Sequence, residues 1–211
     1  LSPYGFYWFL LADEETGWPT THTPAPEPMP EYQTIVLRGR LADALLAGRT
    51  TLEHDILPAY LAKRRWFALK DQALLATRVA SIVALPHAEQ ELLLAEIETE
   101  TQGDSVSWLL PLAIAWEDRQ AGPLPLQLAL ARVRRGPRVG LLTDGFALPE
   151  LANAMLTGLA SGTNAGDIRF EPTSRMAEVT IPPDADMKWL SVEQSNSSMI
   201  VGDVAMLKLF R

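Results

Sequence analysis

The stretch SVSWLLPLAIAW, residues 105–116, decides the fold. Its apolar side chains alternate with polar or smaller ones, and this period of two is typical of a β-strand with a buried face. The predicted buried face carries Val106, Trp108, Leu110 and Leu112. The stretch follows Gly103-Asp104, which is a turn dipeptide. The sequence therefore predicts a strand at 105–116.

Four further segments have the aliphatic and β-branched composition of strands. They are Leu75–Leu85, Leu92–Thr99, Leu128–Val133 and Val139–Leu142. Short connections, such as the turn at 86–90, predict that these strands form an antiparallel meander. Thr34–Leu37 is a further short strand candidate, and Asp144-Gly145 is predicted to turn the chain.

Helices are predicted on either side of this group of strands. Leu41–Leu46 is a short helix closed by Gly48, and Pro149 opens a longer one that Gly162 ends. Between 50 and 61, Thr50 and Glu53 have the spacing of a capping box. An apolar stripe follows in this segment, formed by Leu52, Ile56, Leu57, Tyr60 and Leu61. Because Pro58 lies inside it, we expect a kink or two consecutive helices. The predicted fold class is α+β, with a sheet packed against a few helices.

Composition excludes several functional classes. The chain has 211 residues, is 47% hydrophobic and 21% charged, carries a net charge of −8 and contains no cysteine. Such a composition predicts a globular protein rather than a disordered one. The negative charge argues against a broad nucleic-acid or anionic-membrane surface, and the lack of cysteine excludes disulfides and thiol catalysis. We expect no nucleic-acid partner, no membrane partner and a cytoplasmic location.

Both ends of the sequence indicate a piece of a longer protein. The chain starts at Leu1 with an aromatic strand-like run, Pro3–Leu11, and a proline-rich linker follows at 13–33. Met206–Arg211 is strand-like to its last residue. Before it lie a polar loop, Glu193–Ser198, and a hairpin turn at Gly202-Asp203.

Most isolated candidates for chemistry have simpler structural explanations. The three histidines have no partners at ligand spacing, and Glu96, Glu98 and Glu100 are typical of the solvated side of a strand. The six tryptophans could form a sugar platform, but aromatic residues in strands are usually core. No catalytic residue and no metal ligand is predicted. Lys208 lies on an apolar strand that follows a polar loop. A site for nucleotide phosphates needs such a lysine beside loop N–H groups and hydroxyls, but a lysine that only reaches solvent from a strand gives the same sequence pattern.

Several separated motifs resemble one known arrangement. Leu57-Pro58-Ala59-Tyr60-Leu61 with Arg64-Arg65-Trp66-Phe67 and Lys70 is similar to the signature of the N-terminal cap of bacterial maltokinases. Ser107–Leu112 is similar to a strand of that cap. Glu193–Ser198, with Leu207-Lys208-Leu209-Phe210-Arg211, resembles the start of the maltokinase ATP-binding lobe. Leu69 and Ser197 depart from the family, which usually has glycine and often has threonine at these positions.

The opening run, Pro3–Leu11, resembles the last strand of the β-domain of trehalose synthases, which in many bacteria are fused to maltokinases. The resemblance implies four parts: an end strand at 1–12, the linker at 13–33, a cystatin-like cap at 34–185, and the first hairpin of a truncated kinase lobe at 186–211. It implies a non-catalytic piece of a bifunctional protein that interconverts maltose and trehalose and phosphorylates maltose with ATP and Mg²⁺.

The resemblance also implies roles for individual residues. Lys208 would contact the ATP phosphates, and the loop over the nucleotide would be formed by Ser195, Asn196, Ser197 and Ser198. The cap would pack on the kinase lobe through Arg64, Arg65, Trp66 and Phe67. The partners would be the chain's own kinase lobe and synthase domain, with maltose as substrate. The alternative is a stand-alone carbohydrate- or protein-binding module.

Overall fold

The computed structural model describes residues 32–88, 90–119, 122–180, 182, 185–190 and 196–211. The aromatic run at 3–11, the linker up to residue 31, Trp8, Trp18, His22 and Ser195 lie outside the described residues. Residues 32–211 form one unit.

A curved sheet of six strands forms the centre of the molecule. Its strands are β1 (Thr34–Val36), β2 (Ala76–Leu85), β3 (Leu92–Glu100), β4 (Ser105–Trp116), β5 (Ala129–Arg135) and β6 (Arg138–Asp144). All pairings are antiparallel except that of β1 with β5, which is parallel. The predicted α+β class, with an antiparallel sheet packed against a few helices, is confirmed.

The meander prediction is correct for β2, β3 and β4 but wrong beyond them. The strand order is β1-β5-β6-β4-β3-β2, so β6 lies beside β4, and β5 lies one strand further out. The connection from β4 to β5 contains α4 (Leu124–Gln127) and is long enough to place β5 outside β6. The β5–β6 hairpin, which turns at Gly136 with φ of +58°, then brings β6 back to β4.

A helical layer covers one face of the six-stranded sheet. It consists of α1 (Leu41–Ala47), α2 (Arg49–Thr51), a π-helical segment (Leu52–Ile56) and α3 (Leu57–Leu61). The predicted apolar stripe is buried against Trp108, Leu110 and Leu112, as the period-two pattern of β4 requires. The π-helical segment ends just before Pro58, where the proline lacks the N–H that a regular helix would use.

The predicted capping box is wrong. Thr50 lies inside the helical layer, where no side-chain cap is formed. The Glu53 carboxylate instead accepts hydrogen bonds from the Val79 N–H and from Arg49 Nε, both at 2.7 Å. Because Val79 belongs to β2, Glu53 joins the helical layer to the sheet rather than satisfying a helix end.

The opposite face of the sheet is covered by α5 (Pro149–Ser161) and by a second sheet of three strands, here called the small sheet. Its strands are β7 (Met187–Leu190), β8 (Ser197–Val201) and β9 (Ala205–Leu209), in that order and all antiparallel. The composition of 187–190 did not predict β7. The predicted end of α5 is confirmed, with Gly162 at φ +62° in the left-handed region.

Candidate functional site

Lys208 lies on the exposed face of the small sheet. Alternation along β9 places Leu207 and Leu209 against the core, whereas Met206, Lys208 and Phe210 face away from it. We call the latter surface the outer face. The Lys208 ammonium lies 4.9 Å from the centre of the Phe210 ring. Met206 and Phe210 are among the most exposed large apolar side chains that the structure describes, at 61% and 65%.

The residues of the predicted nucleotide loop are divided between different environments. Ser195 lies outside the described residues, and Asn196 is half-buried immediately before β8. Ser197 and Ser198 are the first residues of β8 rather than part of the predicted loop, because the strand begins at Ser197. Ser198 lies directly opposite Lys208 in the register, but Ser197 lies opposite Leu209 and hence on the inner side. The sheet therefore brings Ser198 and Lys208 together and separates Ser197 from them.

A buried polar cluster joins the small sheet to the helical layer. We call it the junction cluster, and its members are Tyr60, Trp66, Asp144, Ser197 and Arg211. The Asp144 carboxylate is fully buried and accepts hydrogen bonds from Arg211 Nη2 at 2.6 Å and from the Tyr60 hydroxyl at 3.1 Å. It also accepts one from the Phe146 N–H at 3.0 Å, which fixes the turn that Asp144-Gly145 predicted.

Arg211 makes most of the contacts between the two sides of this cluster. Its guanidinium donates to the Ser197 hydroxyl from Nε at 3.2 Å and from Nη2 at 2.9 Å. The same group lies over the Trp66 ring, 4.6 Å from its centre, which is a cation–π distance. A charge buried in this way is stable only when it is paired and hydrogen-bonded. The cluster therefore attaches Arg211, which follows β9, to Asp144 at the end of β6 and to Trp66, which follows α3.

The predicted interface residues Arg64, Arg65, Trp66 and Phe67 are divided between the core and the surface. Trp66 and Phe67 are buried, and both rings pack against Trp108 with centres 5.9 Å and 5.0 Å away. Arg64 stacks over the Tyr60 ring and donates to the Gln127 carbonyl oxygen, while Arg65 is exposed. Of the four, Trp66 contacts Arg211, which follows β9.

Burial also shifts the pKa of Tyr60 in the junction cluster. It raises the pKa of the Tyr60 phenol well above its ordinary value, and the adjacent Asp144 carboxylate adds to this effect. Tyr60 therefore remains a neutral hydrogen-bond donor to Asp144 throughout the physiological range.

Sequence reasoning missed the junction cluster. Asp144 was assigned only to a turn, and Tyr60 only to an apolar stripe. Alternation gives one usable signal, because Leu209 faces inward and a residue two positions later, Arg211, must face inward as well. What the sequence could not provide is the partner, since Asp144 and Tyr60 come from remote segments.

The described tryptophans and the glutamates of β3 have structural roles. Trp66, Trp108 and Trp116 are buried, and Trp189 is half-buried with its indole N–H donating to the Phe146 carbonyl oxygen, so none of these four offers an open sugar platform. Glu98 lies 3.7 Å from Arg78, and Glu96 accepts from Ser81, as expected of a solvated strand face.

Comparison with family models adds no assignment. No protein-family model matches this chain. Within the part of the chain that the structure describes, no helix combines the length and apolar character needed to span a bilayer.

Proposed function

We propose that this chain is the non-catalytic cap, together with the first strands of the ATP-binding lobe, of a cytoplasmic maltokinase fused to a trehalose synthase. In this proposal the parent protein interconverts maltose and trehalose and transfers the γ-phosphoryl group of ATP to maltose. The chain's own part is to hold one wall of the nucleotide site in a fixed orientation.

The outer face of the small sheet carries the proposal. It presents an exposed ammonium, Lys208, beside two exposed apolar side chains, Met206 and Phe210, and the register partner of Lys208 on β8 is the buried Ser198. A nucleotide needs these two kinds of contact, because its phosphates require a cation and hydroxyl or N–H donors while its base requires an apolar surface. This combination supports the proposal that Lys208 contacts the ATP phosphates.

The attachment of the small sheet supports the assigned role of the cap. The inner face of the sheet is buried through Met199, Val201 and Leu209, and the junction cluster adds a buried ion pair to this apolar contact. A wall attached in both ways has little freedom to tilt. We expect the helical layer and the six-stranded sheet to act as a rigid support for β9 and hence for Lys208.

The proposal assigns the remaining chemistry to residues that follow Arg211 and precede Leu1 in the parent protein. The catalytic carboxylate, the Mg²⁺ ligands and the maltose site belong to the rest of the kinase lobe, and bound Mg²⁺ would neutralise charge on the transferring phosphoryl group. By itself the chain therefore catalyses neither reaction.

The coding sequence and a kinase assay together test this proposal. We expect the reading frame to continue past Arg211 into a lobe with a catalytic aspartate, and the complete product to form maltose 1-phosphate from maltose and ATP. A stop codon after Arg211, or ATP-dependent consumption of maltose by the 211-residue chain alone, would refute it.

A further inference from the structure

A cavity of about 260 Å³ lies beside the junction cluster, between the end of β9 and the segment that follows α3. Its lining includes four cationic side chains, Lys63, Arg64, Arg65 and Arg211, and one carboxylate, Asp144. We call it the basic cavity.

Among the described residues that line this cavity, Asp144 is the one carboxylate, and it does not balance the four cationic side chains. Asp144 is fully buried and already accepts from Arg211, Tyr60 and the Phe146 N–H. Arg64 donates from Nε and Nη1 to the carbonyl oxygens of Tyr60 and Gln127, which hold its guanidinium beside the cavity without cancelling its charge. The lining therefore has an excess of positive charge, in a chain whose overall charge is −8.

The buried guanidinium of Arg211 also lines this cavity. Its side chain is 2% exposed, and among the described residues its buried Nη1 has no hydrogen-bond partner. Leaving a buried donor unpaired is unfavourable, and more so when the group is charged. An acceptor bound in the cavity would remove this penalty, whereas the adjacent Nη2 is already used by Asp144 and Ser197.

We propose that the basic cavity binds a phosphate-type oxyanion, either free or as the end of a phosphate ester. Arg211 Nη1 would donate to it from the buried side, and Lys63, Arg64 and Arg65 from the rim. Several donors around one tetrahedral anion match phosphate better than a planar carboxylate, which one arginine can satisfy alone. This site is distinct from the Lys208 surface, because Arg211 and Ser197 lie on the inner side of the small sheet.

Calorimetric titration of the 211-residue chain tests the proposal. Inorganic phosphate is titrated at fixed pH, with sodium chloride matching the ionic strength, and glucose 1-phosphate is titrated in parallel. We expect saturable binding of phosphate and none of chloride. If the ester binds more tightly, its remainder also contacts the cavity, and if the two are equal, the free anion is the ligand.

Variants locate the site. Lys63→Gln combined with Arg65→Gln removes two exposed cations from the rim and should raise the Kd at least about tenfold, because both side chains would donate to the anion. The matched control, Lys70→Gln with Arg132→Gln, removes the same charge from exposed positions outside the lining. Thermal unfolding of both double variants checks that they remain folded.

Two results would overturn the inference. One is the absence of saturable phosphate binding, or equal loss of affinity in the rim variant and its control. The other is loss of binding in Lys208→Gln but not in the rim variant, which would place the phosphate on the outer face. That second result would leave the proposed nucleotide role of Lys208 intact, so the failures of the two proposals are distinguishable.

Discussion

Replacement of Asp144 by asparagine tests the role of the junction cluster in joining the small sheet to the helical layer. The substitution keeps the shape of the side chain and removes its charge, so that the Arg211 guanidinium, at 2% exposure, loses its counter-ion. Breaking a buried ion pair by removing one partner is unfavourable by about 3–5 kcal/mol. We expect Asp144→Asn to lower the free energy of unfolding by this amount, out of a typical total of about 5–15 kcal/mol.

Urea denaturation followed by far-ultraviolet circular dichroism measures this loss. With a slope of about 2 kcal/mol per molar urea, the midpoint should fall by about 1.5–2.5 M. Asp118→Asn is the matched control, because the same change breaks an exposed ion pair with Arg138, at 2.9 Å. Exposed pairs contribute little to stability, so this control should move the midpoint by less than about 0.5 M.

A double-mutant cycle with Arg211→Met separates the pair from the rest of the fold. The double variant buries neither charge, and we expect it to be more stable than Asp144→Asn alone, with a coupling energy above about 2 kcal/mol. A loss below about 1 kcal/mol in Asp144→Asn, or strictly additive effects in the cycle, would refute the argument that this pair joins the two sheets.

Three further perturbations test the packing and the titrations. Gly158→Ala should destabilise the chain by about 1 kcal/mol, because the new Cβ would lie 2.7 Å from the buried Phe170 ring and overpacking outweighs the gain in helix propensity. Because its pKa is raised in the folded state, Tyr60 contributes to the free energy of unfolding below about pH 10, and this contribution is lost as the pH rises further. The free energy of unfolding should therefore fall more steeply with alkaline pH in the wild type than in Tyr60→Phe. Burial acts to raise the pKa of Glu53, but hydrogen bonds from the Val79 N–H and from Arg49 lower it overall. Glu53 therefore stabilises the fold above about pH 4.5, and this contribution is lost as the pH falls through the native pKa of Glu53. In acid titrations the wild type should show this loss of stability, and Glu53→Gln should not.

Each of these predictions has a contrary outcome. Asn153→Ala, on the exposed side of α5, is the control for Gly158→Ala and should be neutral or slightly stabilising. Stabilisation by Gly158→Ala would show that the Phe170 ring moves freely. Parallel alkaline curves for the wild type and Tyr60→Phe would contradict the buried phenol, and parallel acid curves for the wild type and Glu53→Gln would contradict the contact of Glu53 with β2.

Local pattern predicted the fold where neighbours in sequence are neighbours in space. The strands from 76 to 116 and the limits of α5 follow from period-two and helical patterns with clear turn residues, and they are confirmed. The prediction was wrong where a distant segment supplied the partner. Glu53 has the spacing of a capping box, yet its partner is the Val79 N–H of β2, and β6 rather than β5 pairs with β4.

The candidate site, too, has parts that the sequence predicted and parts that it did not. The strand that carries Lys208 and the hairpin turn at Gly202 follow from the sequence, because both are local. The face on which each serine of β8 lies depends on where that strand begins, and a shift of one residue exchanges the two faces. The ion pair of Arg211 with Asp144 joins residues far apart in sequence, which no local period encodes.

The proposed function is tested most directly by Lys208→Met in the complete protein that contains this chain. The measurement is the rate of ATP-dependent formation of maltose 1-phosphate, with Lys70→Met as the matched control at an exposed position outside the small sheet. Loss of a phosphate-positioning cation should reduce kcat/KM for ATP by about a hundredfold or more, whereas the control should retain it. Equal activity of Lys208→Met and the wild type, or no phosphorylation of maltose by the wild type, would contradict the account.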